Sequence, residues 1–425
     1  MVGHADSCRV WIGLDDTDNP DSGCTTATFD DLLGEISQLD NFEIIERRLV
    51  RLWPFAERRT RGNGALACIL KCPKSSINIL EELLSNFFSQ LVIELKIEEN
   101  SLTSPALIYT LKELNEDFYW EAVRHKVDLD NRRNSLDGVN ILSLENSDWG
   151  IIGASSAMAW NPSDDSTWEL ISWRFPEKIG TQRKVTSSRV KEMESLHPET
   201  FVNRDPTADK GLIAPRTPCP VLYGIRGSSS QAVLSAHLWL QSQSDVETCE
   251  RYAIHRTNQL SDDHILGFST ATVLTKPVET KGAHSALEVF SNGRNITLVA
   301  FKEGGDVNRL LRKLIPGDRI NWLGLESPDG SIHLERLSIE SSLPRITGRP
   351  TCCNGKTMRS AGSKQPLRCL NCEKVSKKYW LYDEINLSGI ELTNNWVEPS
   401  ASQRRHLSKP LILGCLLYTS DAADE

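Results

Sequence analysis

Val10-Trp11-Ile12-Gly13-Leu14-Asp15-Asp16-Thr17-Asp18 runs from an apolar stretch into three carboxylates, and Gly23-Cys24-Thr25-Thr26 follows closely. Val10, Ile12 and Leu14 alternate with Trp11 and Gly13, the period of a buried strand. Past the acidic turn, Phe29, Leu32, Leu33, Ile36 and Leu39 recur at helical spacing, with Thr25 or Thr26 at the N-cap or in the first turn. Asp15, Asp16 and Asp18 crowded at a strand end repel one another unless a cation joins them. Mg²⁺ takes one or two carboxylates together with substrate phosphates, and a helix N-terminus holds phosphate. A threonine hydroxyl beside that phosphate can bind it or accept it. The plain alternative for an Asp-Asp pair is a solvated turn; the adjoining helix start favours phosphoryl chemistry on a nucleotide.

Outward from this stretch, strands are expected over 42–53 and 65–70. A second amphipathic helix is marked by Ile79, Leu80, Leu83, Leu84, Phe87 and Phe88, so the first part is α/β. Residues 145–265 repeat the mixture, with helices expected over 151–158 and 233–240 and strands over 168–174 and 219–225. From 266 to 345 five short strands are expected, over 270–274, 287–290, 296–301, 319–323 and 332–337, with a helical turn at 307–314. That pattern favours a small barrel such as an OB-fold.

The 425 residues exceed one ordinary core, so two to four domains are expected. At 39% hydrophobic and 25% charged the chain is of globular composition, and no apolar run is long enough to suggest a membrane span. Residues 1–10 lack the apolar core of a signal peptide, which makes a cytoplasmic protein the default expectation. Residues 415–425 resemble the conceptual translation of a sequencing adapter read through the end of a fragment. They are set aside, with the natural C-terminus expected to be missing. Leaving out Asp421, Asp424 and Glu425 takes the formal charge from −9 to −6, still acidic. Arg47, Arg48, Arg51, Arg58, Arg59 and Arg61 read as one local basic cluster against that background.

Other motifs are less specific. In Thr60-Arg61-Gly62-Asn63-Gly64, glycines flank an Asn, so backbone can approach a ligand and Arg61 can neutralise phosphate. A hairpin turn of the Asn-Gly type is the favoured plain reading. Cys219-Pro220-Val221-Leu222-Tyr223-Gly224-Ile225-Arg226-Gly227 reads equally as a strand end lining a site or as a buried strand with an ordinary turn. His255-Arg256-Thr257-Asn258-Gln259 reads as a linker at a domain edge. Four of the eleven cysteines lie between positions 352 and 372. Cys369 and Cys372 form a Cys-x-x-Cys pair, whereas Cys352 and Cys353 are adjacent, and adjacent cysteines rarely both ligate one tetrahedral ion. A structural Zn²⁺ is favoured over a metal-free or three-cysteine remnant.

Taken in order, these motifs resemble the archaeal agmatinylcytidine synthetases of the isoleucine tRNA with a CAU anticodon, the TiaS family. The resemblance covers residues 8–414 and is strongest over 12–18 with 23–26 and over 60–63. Residues 219–227, 256–259 and 404–410 add to it. It implies a multidomain α/β and α+β architecture: a kinase-like α/β domain (1–144), a ferredoxin-like domain (145–265), an OB-fold barrel (266–345), a zinc ribbon (346–378) and a C-terminal tail (379–414). It also implies an ATP-dependent ligase that attaches agmatine to C2 of the wobble cytidine by phosphorylating the C2 oxygen. Its ligands would be ATP, Mg²⁺, Zn²⁺, agmatine and that tRNA.

By the same resemblance Asp15, Asp16, Asp18 and Thr25 are catalytic, Thr25 matching the residue that becomes phosphorylated. Gly23, Thr26, Arg61, Gly62 and Asn63 belong to the ATP site. Agmatine is a dication, so Asp205 and the strand end with Tyr223, Gly224 and Gly227 are candidates for its pocket. Arg404, Arg405 and His406 suit tRNA phosphates. One departure concerns the family's first Cys-x-x-Cys ahead of Gly355-Lys356-Thr357-Met358. Those two places hold Thr351 and Asn354, with Cys352 and Cys353 between them. The rival readings are a non-catalytic RNA-binding protein and a related ligase that uses another amine.

Overall fold

The computed structural model describes residues 6–18, 23–59, 62–96, 103–144, 147–164, 166–360 and 362–414. The contacts divide the chain into two units, Met1–Leu266 with Ser400–Gly414, and Gly267–Pro399. The adapter-like stretch 415–425 lies outside the described residues, as does Arg61.

The first unit is built on one sheet. In chain order its strands are β1 (Ser7–Asp15), β2 (Glu43–Arg51), β3 (Gly64–Pro73), β4 (Ala106–Thr110), β5 (Asn140–Ser143) and β6 (Thr167–Trp173). A two-residue ladder of β7 (Arg204–Asp205) and β8 (Lys210–Gly211) stands apart, and β9 (Val221–Gly227) and β10 (Arg251–Thr257) complete the sheet. The spatial order is β5-β4-β1-β3-β2-β10-β6-β9. The pairings are antiparallel except β2–β10, where Arg48 lies beside Arg256 in parallel register. Strands from both sides of the expected 144/145 boundary therefore share one sheet. The stretch expected to be a linker, His255 to Gln259, is instead the end of an interior strand and the residues just after it. His255, Thr257, Asn258 and Gln259 are buried there.

Period-two alternation on β1 sends Val10, Ile12 and Leu14 to one face. There they meet α1 (Thr25–Ile36) and α2 (Ile77–Leu95) through Phe29, Leu32, Leu33, Leu80 and Leu84. Trp11 with Ala65, Ala67 and Ile108 faces the other way, towards α3 (Asp117–Arg124) and α5 (Gly150–Ala159), with α4 (Leu129–Asn134) beside them. α6 (Ser187–Leu196) and α7 (Ser230–Gln241) cover β6 and β9 through Val190, Met193, Val233 and Leu240. Small residues let α5, Gly-Ile-Ile-Gly-Ala-Ser-Ser-Ala-Met-Ala, approach the sheet closely. A Cβ on Gly13 would stand 2.6 Å from the Ala154 carbonyl oxygen. The buried guanidinium of Arg132 fixes α5 from behind, donating to Ser155 Oγ (2.8 Å), Ser156 Oγ (2.9 Å) and the Phe118 carbonyl (2.9 Å).

The second unit contains a five-stranded barrel. Its strands are β11 (Ser269–Val273), β13 (Ser285–Ser291), β14 (Arg294–Ala300), β15 (Arg319–Glu326) and β16 (Ile332–Ser341), with short β12 (Val278–Glu279) paired to β13. The order β11-β15-β16-β14-β13 closes through β11–β13, and only β14–β16 is parallel within the ring. α8 (Asp306–Leu311) lies between β14 and β15 in sequence, and Val273, Leu287, Leu298, Ile320 and Leu337 fill the interior. The five expected strands and the helical turn fall on these elements. Beyond the barrel β17 (Arg345–Gly348) pairs with β21 (Leu381–Asp383). β18 (Arg359–Ser360), β19 (Leu367–Arg368) and β20 (Val375–Ser376) form a small sheet around the cysteines, and β22 (Trp396–Val397) joins β16. Among the described residues no helix is long and apolar enough to cross a membrane.

Candidate active site

β1 delivers Asp15 at its last position, and the chain then turns sharply at Asp16, whose φ is +60°. The turn is held from outside: Ser104 N–H donates to the Asp16 carbonyl (3.2 Å) and Thr103 Oγ1 to the Asp18 carbonyl (3.2 Å). Gly23 has φ +75°, a left-handed conformation that favours glycine. α1 starts directly after Cys24, whose extended backbone is the N-cap and whose carbonyl accepts from Ala27 and Thr28. Thr25 is therefore in the first turn, as expected. Its hydroxyl donates to Asp18 Oδ1 (3.2 Å) and stands 3.4 Å from Thr17 N. Thr26 Oγ1 accepts from the Trp173 indole (3.3 Å) and lies 2.9 Å from Cys24 Sγ.

The electrostatics are those of crowded carboxylates. Burial, and then the charge of Asp16, hold the Asp15 carboxyl well above the usual range. Burial and Asp18 push Asp16 up to about 7, against the pull of Arg58. Asp15 and Asp16 stand in a cavity of about 280 Å³. Its walls include Leu52, Trp53, Val127, Trp149 and Ile152, with Arg58, Arg59, His125 and Lys126 as basic groups and Asn63 and Gly64 at one side. Apolar and aromatic walls, cations and carboxylates in one cleft make a site for a planar base bearing phosphates. Trp53, Trp149 and Lys126 went unnoticed in the sequence, where nothing ties them to the acidic turn.

The loop before β3 is not a two-residue Asn-Gly turn. Arg51 pairs with Gly64 across a long connection, and Asn63, at φ +44°, donates from Nδ2 to the Trp53 carbonyl (2.7 Å). Gly62 lies against the Arg51 guanidinium, which donates to the Gly62 carbonyl (3.2 Å). Of the expected arginine cluster, strand alternation separates Arg47 from Arg48 on β2, while Arg58 and Arg59 in the loop beyond it both line the cleft. Arg47 pairs with Asp30, buried Arg48 donates to the carbonyls of Met158 (2.9 Å) and Trp160 (2.6 Å), and Arg58 lies over the Trp149 ring.

A second polar centre surrounds Glu169 of β6. Its carboxylate lies 3.5 Å from Arg51 Nη2 and 3.6 Å from Arg226 Nε, and accepts from Gln259. Asn258 clasps the Arg51 backbone, accepting from its N–H (2.7 Å) and donating to its carbonyl (2.8 Å). A Cβ on Gly224 would stand 2.7 Å from Glu169 Oε1, so the glycine makes room for that carboxylate. Gly227 packs against Val233 and the Glu199 carbonyl. Tyr223 is fully buried, its hydroxyl shared between His237 Nδ1 (2.9 Å) and Gln241 Nε2 (2.8 Å). Asp205 is likewise buried, accepting from Thr207 Oγ1 (2.6 Å) and from Ser402 N–H (2.9 Å). Burial would raise its pKa, but the hydrogen bonds from Ser402 and Thr207 outweigh this and hold it below the usual range. Tyr223 and Asp205 are thus engaged with the protein's own groups, and the sequence missed Glu169, the carboxylate at this strand end.

Residues 400–414 are built into the first unit, contrary to the reading of 379–414 as one polar tail. Leu260 N–H donates to the His406 carbonyl (3.0 Å), Leu407 is buried, and Arg405 covers the Phe55 ring. Arg404, Arg405 and His406 join Arg226 and Gln259 around a cavity of about 170 Å³. Dense surroundings and the guanidiniums of Arg51 and Arg226 hold the His406 imidazole well below its usual pKa.

In the second unit Cys352, Cys353, Cys369 and Cys372 bring four sulfurs within 4.8 Å of one another. Cys352 and Cys372 Sγ are 3.5 Å apart, and Cys353 and Cys369 Sγ 3.6 Å. A tetrahedral Zn²⁺ with thiolates at about 2.3 Å has S···S edges close to these values. The adjacent pair converges because the chain passes from extended Cys352 into a tight turn with Asn354 at φ +56°. The expected obstacle to a four-sulfur cluster is thereby removed. Backbone N–H groups of Cys372 and Asn371 draw the Cys369 thiol down to about 6.

Comparison with known proteins accords with this arrangement. The profile described as the TiaS TCKD domain matches residues 11–146, and that of the TiaS FLD domain matches residues 148–264. The isoleucine-tRNA 2-agmatinylcytidine synthetase TiaS of Archaeoglobus fulgidus is 30% identical over 95% of this chain and 97% of its own length. Its namesake from Methanocaldococcus jannaschii is 30% identical over 95% and 98%. Among solved structures, a complex of TiaS with its isoleucine tRNA and ATP superposes with a TM-score of 0.83 at 29% identity, covering 95% of this chain and 97% of that one. A complex of TiaS with the same tRNA, AMPCPP and agmatine gives 0.80 at 26% identity, covering 96% and 98%. Two domain profiles spanning more than half of the chain, and relatives matched along nearly its whole length, show that this chain belongs to the TiaS family.

Proposed function

We propose that this protein is an ATP-dependent ligase that joins agmatine to C2 of the wobble cytidine in the CAU-anticodon isoleucine tRNA. The observation that carries the reading is the junction of β1 and α1. There three carboxylates and the Thr25 hydroxyl adjoin a cleft with the walls and cations a nucleoside triphosphate needs. Its family relatives carry the name of this synthetase, and solved members are described in complex with the isoleucine tRNA, ATP and agmatine.

In this reading Asp15, Asp16 and Asp18 hold Mg²⁺, and Thr25 takes a phosphoryl group at the start of α1. Gly23, Thr26, Arg61, Gly62 and Asn63 adjoin the ATP phosphates. Phosphoryl transfer needs positioning and charge neutralisation more than covalent machinery; Thr25 at the helix start suits the first, and a cation on the carboxylates together with Arg58, Arg59 and Lys126 suits the second. Two γ-phosphoryl transfers, each releasing ADP, are involved: one to the Thr25 hydroxyl and one to the C2 oxygen. The agmatine amine then attacks C2, loses a proton and displaces phosphate. Residues 1–144 act as the kinase-like domain and 145–265 as the ferredoxin-like domain. The barrel is an OB-fold, which with the ribbon grips tRNA by backbone charge and stacking. Gly224, beside Glu169, is the better of the agmatine candidates, ahead of Gly227, Tyr223 and Asp205. Arg404, Arg405 and His406 face tRNA phosphate. The four cysteines hold a structural Zn²⁺, and the protein works in the cytoplasm.

The test is incubation of purified protein with the CAU-anticodon transcript, ATP and one amine at a time, followed by mass spectrometry of the nucleosides. Agmatine should be incorporated at the wobble cytidine, whereas spermidine and lysine should not. Incorporation of another amine in preference, or of none, refutes the reading.

A further inference from the structure

Three glycines bring α5 against the end of β1, and they do different work. A Cβ on Gly13 meets the Ala154 carbonyl, and one on Gly150 meets backbone atoms of Ser104 (2.7 Å), Ala106 (2.8 Å) and Asp15 (2.9 Å). Those two serve close packing of main chain. Gly153, the fourth residue of α5, is different. A Cβ there would overlap the Asp15 carboxylate itself, with Oδ2 nearest and Cγ at 2.6 Å, while the Ala65 methyl closes the other side at 3.1 Å. The carboxylate thus occupies the place where a side chain of α5 would stand. It stands beside the first turn of that helix, whose field favours a negative charge. Since Arg132 anchors α5 through Ser155 and Ser156, the seat is rigid.

We infer that Gly153 is a positioning residue for Asp15: the missing side chain on α5 fixes where the carboxylate stands in the nucleotide cleft. The helix that opens the segment 148–264 thereby completes the acidic site carried by the segment 11–146. The catalytic consequence rests on the ligase reading above, but the spatial claim does not. The overlap of a methyl group at 153 is with the tip of the Asp15 side chain and not with main chain, so it is the carboxylate that must turn aside.

Two measurements test this on the full chain. The first is a melting-temperature cycle over the parent, Asp15→Ala, Gly153→Ala and the double variant, with Gly34→Ala as reference. Gly34 lies in α1, where a Cβ meets nothing within 4 Å. Relative to Gly34→Ala, Gly153→Ala should cost stability in the parent, and that cost should disappear in the Asp15→Ala background. An equal cost in both backgrounds overturns the inference, whatever the enzyme's substrate proves to be. The second is the Mg²⁺ dependence of agmatine transfer. Gly153→Ala should lower kcat by on the order of 10- to 100-fold and raise the half-saturating Mg²⁺ concentration, with KM for tRNA unchanged. Parent-like kcat with unchanged Mg²⁺ dependence overturns it as well.

Discussion

The hydroxyl of Thr25 donates to the carboxylate of Asp18 across 3.2 Å, tying the first turn of α1 to the acidic turn that follows β1. The hydroxyl is thus aligned beside the residues proposed to hold Mg²⁺. Thr25→Ala is expected to abolish agmatine transfer while leaving tRNA affinity, read by filter binding, within about twofold of the parent. Thr25→Ser keeps the hydroxyl and should retain measurable turnover. Normal turnover in the alanine variant would remove Thr25 from the mechanism.

Glu169 stands between two guanidiniums and beneath Gly224, and its removal leaves Arg51 and Arg226 without their shared anion. Truncating one partner of a buried charge network costs about 3–5 kcal/mol. Glu169→Ala should therefore lower the denaturation midpoint strongly, whereas Glu340→Ala, which removes the partner of Arg319 at the barrel surface, should cost less than about 1 kcal/mol. Chemical denaturation of the two variants side by side checks the difference.

The cysteine cluster predicts a single metal equivalent per chain. Purified protein treated with a thiol-modifying mercurial should release Zn²⁺, read with a chromogenic chelator, and Cys353→Ser should lower the amount retained. Full retention in that variant would show that the adjacent cysteine is not a ligand. Because Met358, Leu367 and Cys369 form the small core around these sulfurs, metal removal should also loosen β18, β19 and β20 in hydrogen exchange.

Acid should weaken the first unit through its buried histidines. Burial, then Arg47 and Arg51, push the His255 imidazole down to about 3, and burial pushes His237 down to about 4. Both are neutral in the folded chain and protonate in the unfolded chain near pH 6.5. Their contribution is complete above about pH 6.5 and is lost as pH falls from there towards 4 and 3, with a slope of up to about 1.4 kcal/mol per pH unit for each site. Melting curves between pH 7.5 and about 4.5 should show this decline. His255→Leu, which replaces a ring with no hydrogen-bond partner among the described residues, should flatten it.

What could be read from the sequence was what repeats. Alternation on β1, helical spacing in α1 and α2, and five short apolar runs separated by turn residues place those elements directly. β10 escaped because its last residues, His255-Arg256-Thr257, and Asn258-Gln259 just after them are polar. Asn258 and Gln259 are buried with their side chains satisfied by Arg51, Tyr119 and Glu169 from distant parts of the chain. The acidic turn was legible as a candidate site, since three crowded carboxylates repel one another without a cation. The walls of its cleft were not, because Trp53, Lys126 and Trp149 come from three separate loops and helix ends. The partners of the Tyr223 hydroxyl, His237 and Gln241, could not be seen in the sequence because they come from α7. Adjacent cysteines looked unsuited to one ion until the turn at Asn354 set their directions.

The return of residues 400–414 to the first unit makes Gly267–Pro399 an insertion, in sequence, within that unit. During synthesis the eight-stranded sheet can close as soon as β10 finds β2. Leu407 and the segment around His406 reach their places only after the whole barrel and ribbon have been made. Docking of residues 400–414 is therefore a late step in assembling the unit with the acidic turn, made across the roughly 140 residues between Leu260 and His406 and slow by that sequence separation. A ribosome that stops short of residue 400 would release a chain with its barrel complete and its first unit unsealed.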